Sequence, residues 1–165
     1  SNRNGIIASC IYKACILQGC PRSAKEIADM FNEDITTITK GCKKFDEIVN
    51  LDSSKNIRVS NVTTRPVDFI ERFCSKLNLG ENIVKICSHV CKKADEYSFV
   101  DKCIPPSIAA GSIFLVSNIF NINISKKEIS STCRISEVTI SKCYKELLRY
   151  HKYLFPEDII NKLYS

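Results

Sequence analysis

Residues Ile6 to Lys43 lie over residues Ile108 to Lys145 at a constant offset of 102 residues, without a gap. In that register Ile6/Ile108, Ala8/Ala110, Ile11/Ile113, Ser23/Ser125, Lys25/Lys127, Glu26/Glu128, Ile27/Ile129, Thr37/Thr139, Ile38/Ile140, Lys40/Lys142 and Lys43/Lys145 are identical pairs. Tyr12/Phe114, Leu17/Ile119 and Phe45/Leu147 are conservative ones. A solenoid unit runs about 20 to 50 residues, so a spacing this long fits a duplicated small domain instead. The chain is expected to contain two copies of one fold.

The composition supplies enough core for such domains. The chain is 44% hydrophobic and 25% charged and has only 5 Gly and 5 Pro, a balance that folds rather than remaining an extended tail. No run of about 18 apolar residues and no signal peptide is present, so neither a membrane span nor secretion is expected. Ten cysteines occur, but Cys10 and Cys15, or Cys87 and Cys91, stand at helical spacings within apolar stripes and read as buried reduced thiols. Zinc is not expected, because there is no CxxC pair and neither His89 nor His151 has a clustered cysteine at finger spacing. The net charge of +6 is shared evenly: Ser1 to Arg65 has 10 basic and 7 acidic residues, Pro66 to Ser165 has 14 and 11. Both halves can meet an acidic partner.

The second copy reads helix by helix. Pro66 opens a segment whose Phe69, Ile70, Phe73 and Leu77 recur at steps of three and four, with Gly80 placed for a left-handed C-terminal cap. A second helix over Asn82 to Glu96 aligns Ile83, Ile86, Cys87, Val90 and Cys91 on one face. After Pro105 and Pro106, Ile108 to Ile119 is apolar or small on nearly every side, and a helix without a polar face belongs in the middle of a bundle. Ser125 with Glu128 forms a capping box for a short helix, another helix runs from about Ser136 to Tyr150, and Leu154 to Tyr164 adds a last turn or two through Ile159, Ile160 and Leu163. The first copy offers only the last three of these helices: Asn4 to Gln18, the one capped by Ser23 and Glu26, and Ile35 to Leu51. Carrying the offset back from Pro66 places the start of that copy about 36 residues before Ser1, so a shortened first copy lacking about two helices is expected, with apolar surface showing on its central helix. The expected division is 1–52 for the shortened copy, 53–65 for a linker rich in Ser, Asn and Thr, and 66–165 for the second copy.

Catalytic signatures are missing: no phosphate-cradling glycine loop, no HExxH and no GxSxG, so no enzyme is expected. The informative local pattern is Lys126 to Arg149, a short capped helix, the turn Cys133-Arg134-Ile135-Ser136, and a longer helix starting Glu137-Val138-Thr139-Ile140-Ser141-Lys142. It resembles a helix-turn-helix, in which the first exposed residues of the second helix reach base edges and its amino terminus favours a phosphate. Those exposed positions are expected at Val138, Thr139, Ser141 and Lys142, with Ile140, Tyr144 and Leu147 inward. Two helices joined by a short turn also serve plain packing in many all-α domains. The paired Lys40/Lys142 and Lys43/Lys145 shift the balance toward binding, since both copies keep cations on the same helix, while surface lysines also serve simply as a solvated face.

The segment Asp68-Phe-Ile-Glu-Arg-Phe-Cys-Ser-Lys-Leu-Asn-Leu79, then Lys92-Lys93-Ala94, Pro106-Ser-Ile-Ala-Ala-Gly-Ser-Ile-Phe114, Lys127-Glu-Ile129 and Glu137-Val-Thr-Ile140, resembles the second cyclin repeat of eukaryotic transcription factor IIB. Ile7-Ala-Ser-Cys-Ile-Tyr12, Ala14-Cys15, Pro21-Arg22 and Lys25-Glu-Ile27 are similar to the first repeat. The resemblance runs in order over nearly the whole chain. It implies an all-α fold of two cyclin-like five-helix repeats, the first lacking its N-terminal helices.

The same resemblance implies a non-catalytic, monomeric, nuclear platform that clamps the TATA-binding protein on promoter DNA and helps recruit RNA polymerase II. With the helix-turn-helix reading it leads to expected DNA contact at Arg134, Val138, Thr139, Ser141, Lys142 and Lys145, and contact with the TATA-binding protein is expected on basic residues of the first repeat, Arg22, Lys40, Lys43 and Lys44. Val138 and Ser141 occupy the positions from which the family's second-repeat helix reads an upstream promoter element; Ser141 stands where an arginine often pairs two ways with guanine, so preference for a G-containing element is not implied. No cofactor is expected in these residues, the family's zinc ribbon belonging upstream of the repeats. A factor of the RNA polymerase III type, an archaeal or viral relative, or a kinase-binding cyclin with the same two-lobed fold are the alternative readings.

Overall fold

The computed structural model describes residues 3–51 and 63–159, and among them every regular element is helical. The chain divides into two compact units, residues 1–64 and 65–165. The linker reading of 53–65 falls almost wholly outside the described residues, as do Ile160 and Leu163.

Unit 1 consists of α1 (Arg3–Leu17), α2 (Ala24–Phe31) and α3 (Ile35–Leu51). Unit 2 opens with a 3-10 turn at Pro66–Phe69 and continues through α4 (Ile70–Lys76), α5 (Glu81–Glu96), α6 (Pro105–Ile119), α7 (Lys126–Cys133), α8 (Glu137–Arg149) and the short α9 (His151–Leu154). Shifting unit 1 by the offset found in the sequence lays α1 onto α6 and α2 onto α7 end for end, and starts α3 where α8 starts. The stops coincide as well. Gly19 and Asn121 are both left-handed, and so are Asn32 and Arg134.

The registered elements have the same local causes. Ser23 Oγ accepts from the Glu26 N–H at 3.1 Å while the Ser23 N–H donates to the Glu26 carboxylate at 2.8 Å. Ser125 and Glu128 repeat this box at 3.1 and 2.7 Å, fixing the first turns of α2 and α7. At the C-termini of α1, α2 and α6 a residue with positive φ lets the following N–H reach back to a carbonyl five residues earlier, from Cys20 to Cys15, from Glu33 to Ala28 and from Ile122 to Ser117. α4 closes the same way through Asn78 (φ 54), Leu79 donating to the Cys74 carbonyl at 3.0 Å. The left-handed cap expected at Gly80 is therefore a correction: Asn78 tolerates that conformation, and Gly80, in extended geometry, is the residue before α5. The single helix expected from Pro66 begins as a 3-10 turn, because proline contributes no N–H and Asp68 instead accepts the Arg65 N–H at 2.8 Å.

The core of unit 2 is built around α6, where every residue from Pro106 to Ile113 is buried. α4, α5, α7, α8 and the 3-10 turn all pack on it. Phe69 and Phe73, with ring centroids 5.7 Å apart, supply the largest buried side chains from the first helix. Burial of an Ile or Phe of this kind stabilises by about 1.5 to 3 kcal/mol. In unit 1 the identical residues Ala8, Ile27 and Ile38 form a smaller core with Ala28, matching Ala110, Ile129 and Ile140 in unit 2.

Within unit 1, α1 packs on α2 and α3. Its Ile7, Cys10, Ile11, Ala14 and Leu17, spaced as one helical stripe, are exposed, whereas the counterparts of the first four, Ala109, Ser112, Ile113 and Val116, are buried beneath the other helices of unit 2 and Ile119 is half-buried. This corrects the reading of all cysteines as buried. Cys74, Cys87, Cys91, Cys133 and Cys143 are buried, Cys15, Cys42 and Cys103 are half-buried, and Cys10 and Cys20 are exposed; all ten are free thiols.

Candidate nucleic-acid interface

The turn between α7 and α8 is made by Arg134, whose left-handed backbone (φ 58) ends α7 and whose side chain is exposed. Ile135 inserts into the core beside it. Ser136 then caps α8, its hydroxyl accepting the Thr139 N–H at 3.2 Å and pairing with Thr139 Oγ1 at 2.8 Å. Ile140, Cys143 and Leu147 bury one face of α8 against α6, and Tyr144 lies half-buried with its ring edge toward Phe114, centroids 5.0 Å apart.

Fixing that face decides what points outward. Val138 is 80% exposed, and Lys142, Lys145 and Arg149 follow it at steps of four, three and four, forming one outward stripe of an apolar tip and three cations. Two of the expected exposed positions need correction. Thr139 and Ser141 are half-buried, since each is about a quarter-turn off the stripe, and the Thr139 hydroxyl is taken up by the cap. Glu137 in the first turn opposes an incoming anion at the helix terminus, so positive potential comes from the lysines rather than from the helix dipole.

Sequence reasoning missed two cations. Arg149 lies seven residues beyond Lys142, which places it on the same face, though it shares its guanidinium with Glu146 at 3.2 Å. Lys102 comes from the α5–α6 loop and joins Lys142 and Arg149 around an open cleft of ≈ 440 Å³ that Asp101 and Glu146 also line. Nothing in the local sequence announces that pairing, because the loop reaches α8 from 40 residues away.

In unit 1, Lys40 and Lys43 are exposed on α3 in the places that Lys142 and Lys145 hold on α8. Lys44 pairs with Glu47 at 3.1 Å. Arg22 is half-buried and turns back on its own loop, its guanidinium donating to the carbonyls of Cys20 at 2.8 Å and Pro21 at 3.4 Å. The four residues assigned to protein contact thus separate into two outward lysines, one paired lysine and one arginine that shapes the turn before α2. Among the described residues no group of three or more His, Cys, Asp or Glu is arranged to hold a metal ion, and no helix is long and apolar enough to cross a membrane.

The profile of the family described as Transcription factor TFIIB repeat matches residues 59–150, more than half the chain and including the whole α7–α8 unit. The chain belongs to the TFIIB repeat family. Its helices are those of an all-α, cyclin-like repeat. A transcription initiation factor IIB-like protein of Acanthamoeba polyphaga mimivirus is 37% identical over 98% of the chain, and transcription initiation factor IIB of Encephalitozoon cuniculi is 37% identical over 98%. Transcription initiation factor IIB of Dictyostelium discoideum is 33% identical over 94%. The chain spans 36%, 49% and 46% of the lengths of these three relatives, so it corresponds to about half of a IIB factor or less.

Proposed function

We propose that this chain is the core of a general transcription initiation factor, which binds the complex of TATA-binding protein with promoter DNA and helps recruit RNA polymerase II. The observation that carries the reading is the stripe Val138, Lys142, Lys145 and Arg149 on the second helix of a helix-turn-helix within a TFIIB repeat. Cations at that spacing neutralise successive phosphates, and Val138 at the tip offers an apolar edge to a thymine methyl. With Ser141 half-buried and too short to pair two ways with guanine, the helix positions the protein on DNA more than it selects a G-containing element. Lys40 and Lys43 give unit 1 a corresponding cationic face for the TATA-binding protein. The role is binding, not catalysis, and its setting is the nucleus in a eukaryote. The equal identity to the mimivirus relative keeps a viral factor as the second reading.

Reversing two charges tests the assignment. Lys142→Glu with Lys145→Glu should leave the thermal midpoint unchanged, weaken the ternary complex on all promoter sequences alike, and flatten its dependence of log affinity on log salt by about 2. An undiminished supershift in a mobility assay would remove α8 from the interface.

A further inference from the structure

The α5–α6 loop brings Cys103 against α8, where the Cys143 thiol donates to Cys103 Sγ at 3.0 Å. Both thiols are free. They differ in access: Cys143 is buried at the crossing of α6 and α8, while Cys103 is half-buried on the wall of the ≈ 440 Å³ cleft, where a small solute can reach it. The loop is held just ahead of Cys103, since Val100 is buried and the Cys103 N–H donates to its carbonyl at 2.9 Å. Burial first, then the hydrogen bond to Cys103, pushes the Cys143 thiol up, so Cys103 is the sulfur placed to react first.

We propose that Cys103 and Cys143 form a hydroperoxide-responsive dithiol site, whose oxidation to a disulfide clips the α5–α6 loop to α8. The Cys103 thiolate attacks one peroxide oxygen, the O–O bond breaks, and the products are a sulfenic acid and water once the leaving hydroxide takes a proton. The Cys143 sulfur then attacks the Cys103 sulfur and the S–O bond breaks, its hydroxide leaving as a second water with the Cys143 proton. In sum, two thiols lose two electrons and two protons, and one hydrogen peroxide becomes two waters. Bond formation needs the sulfurs to close to about 2.05 Å, a shift of about an ångström that the loop side can supply. Cys74, Cys87, Cys91 and Cys133 are fully buried and present no comparable entry for the oxidant. The site stands whether or not α8 meets DNA.

The test uses the full chain with Cys10 and Cys20 changed to Ser, which removes the two exposed thiols able to link separate molecules. After brief treatment with hydrogen peroxide and quenching by catalase, the intact mass should fall by two hydrogen atoms. A non-reducing peptide map should join the Cys103 and Cys143 peptides, and the thermal midpoint should rise, because closing a loop of this length restricts the unfolded chain. Dithiothreitol should reverse all three. Cys103→Ser, at a half-buried position, should fold and show none of them. Retention of the mass loss in Cys103→Ser, a link between other cysteines, or addition of oxygen without cross-linking would overturn the proposal.

Discussion

At the crossing of α6 and α8 a Cβ on Gly111 would stand 2.6 Å from Cys143 Cβ, too close for any side chain without movement. The registered crossing of α1 and α3 solves the same problem from the other helix. There Gly41 lacks the Cβ, which would collide with Ser9 Oγ and the Gly5 carbonyl, and Ser9 sits where unit 2 has Gly111. The Ser9 hydroxyl donates to the Gly5 carbonyl of its own helix at 2.6 Å and faces the Ile38 carbonyl of α3 at 3.2 Å. At this registered pair of positions each unit therefore has a glycine, on α3 in unit 1 and on α6 in unit 2. Gly111→Ser should destabilise by about 1 to 3 kcal/mol in denaturant unfolding. Adding Cys143→Gly, which transplants the unit 1 pair, should recover part of that loss despite the cost of another helical glycine. The requirement for a small residue at Gly111 was legible in the sequence. The exchange of roles between helices was not, since it depends on how deeply two helices cross. A second prediction concerns Glu128, whose carboxylate is held below its ordinary value of 4.5 by its hydrogen bonds to Ser125. Because the folded value is depressed, the cap's contribution is complete above the unfolded value and is lost as pH falls through the folded one. Ser125→Ala should move the Glu128 titration, followed by carbon-13 NMR, back up toward 4.5.

For the helices, one sequence yields two fates according to what covers it. Ile11 and Ile113 are identical in register, yet Ile11 is 39% exposed and Ile113 fully buried. Ile113→Ala should cost about 2 to 5 kcal/mol and Ile11→Ala under about 1 kcal/mol, as read from paired unfolding curves. Equal losses would mean that the α1 stripe is covered in solution. Helix starts were readable because Ser23, Ser125 and Ser136 declare themselves chemically. Stops were less so: left-handed residues here are mostly Asn78, Asn121, Asn32 and Arg134, which carry no signal as strong as glycine's. Exposure along α8 was misjudged at Thr139 and Ser141, because the line between outward and flanking positions depends on how Ile140, Cys143 and Leu147 seat on α6. The cysteines of α1 were misjudged for the same reason at larger scale, since an apolar stripe indicates burial only where other helices supply the cover.

Across the chain, the duplication first seen as matched letters recurs as matched helix bounds, caps, left-handed stops and buried Ala-Ile-Ile sets. What no pattern in the sequence disclosed is how distant segments meet on α8, where the loop bearing Lys102 and Cys103 joins Lys142, Cys143 and Arg149. That juxtaposition comes from the tertiary path between α5 and α6. The central claim is that these helical repeats recognise a protein–DNA complex rather than either component alone. It is tested most directly by a mobility-shift titration of the wild-type chain on TATA-box DNA, with and without TATA-binding protein. The account predicts a supershift that requires the TATA-binding protein and weakens steeply with salt; the absence of any supershift when both are present would contradict it.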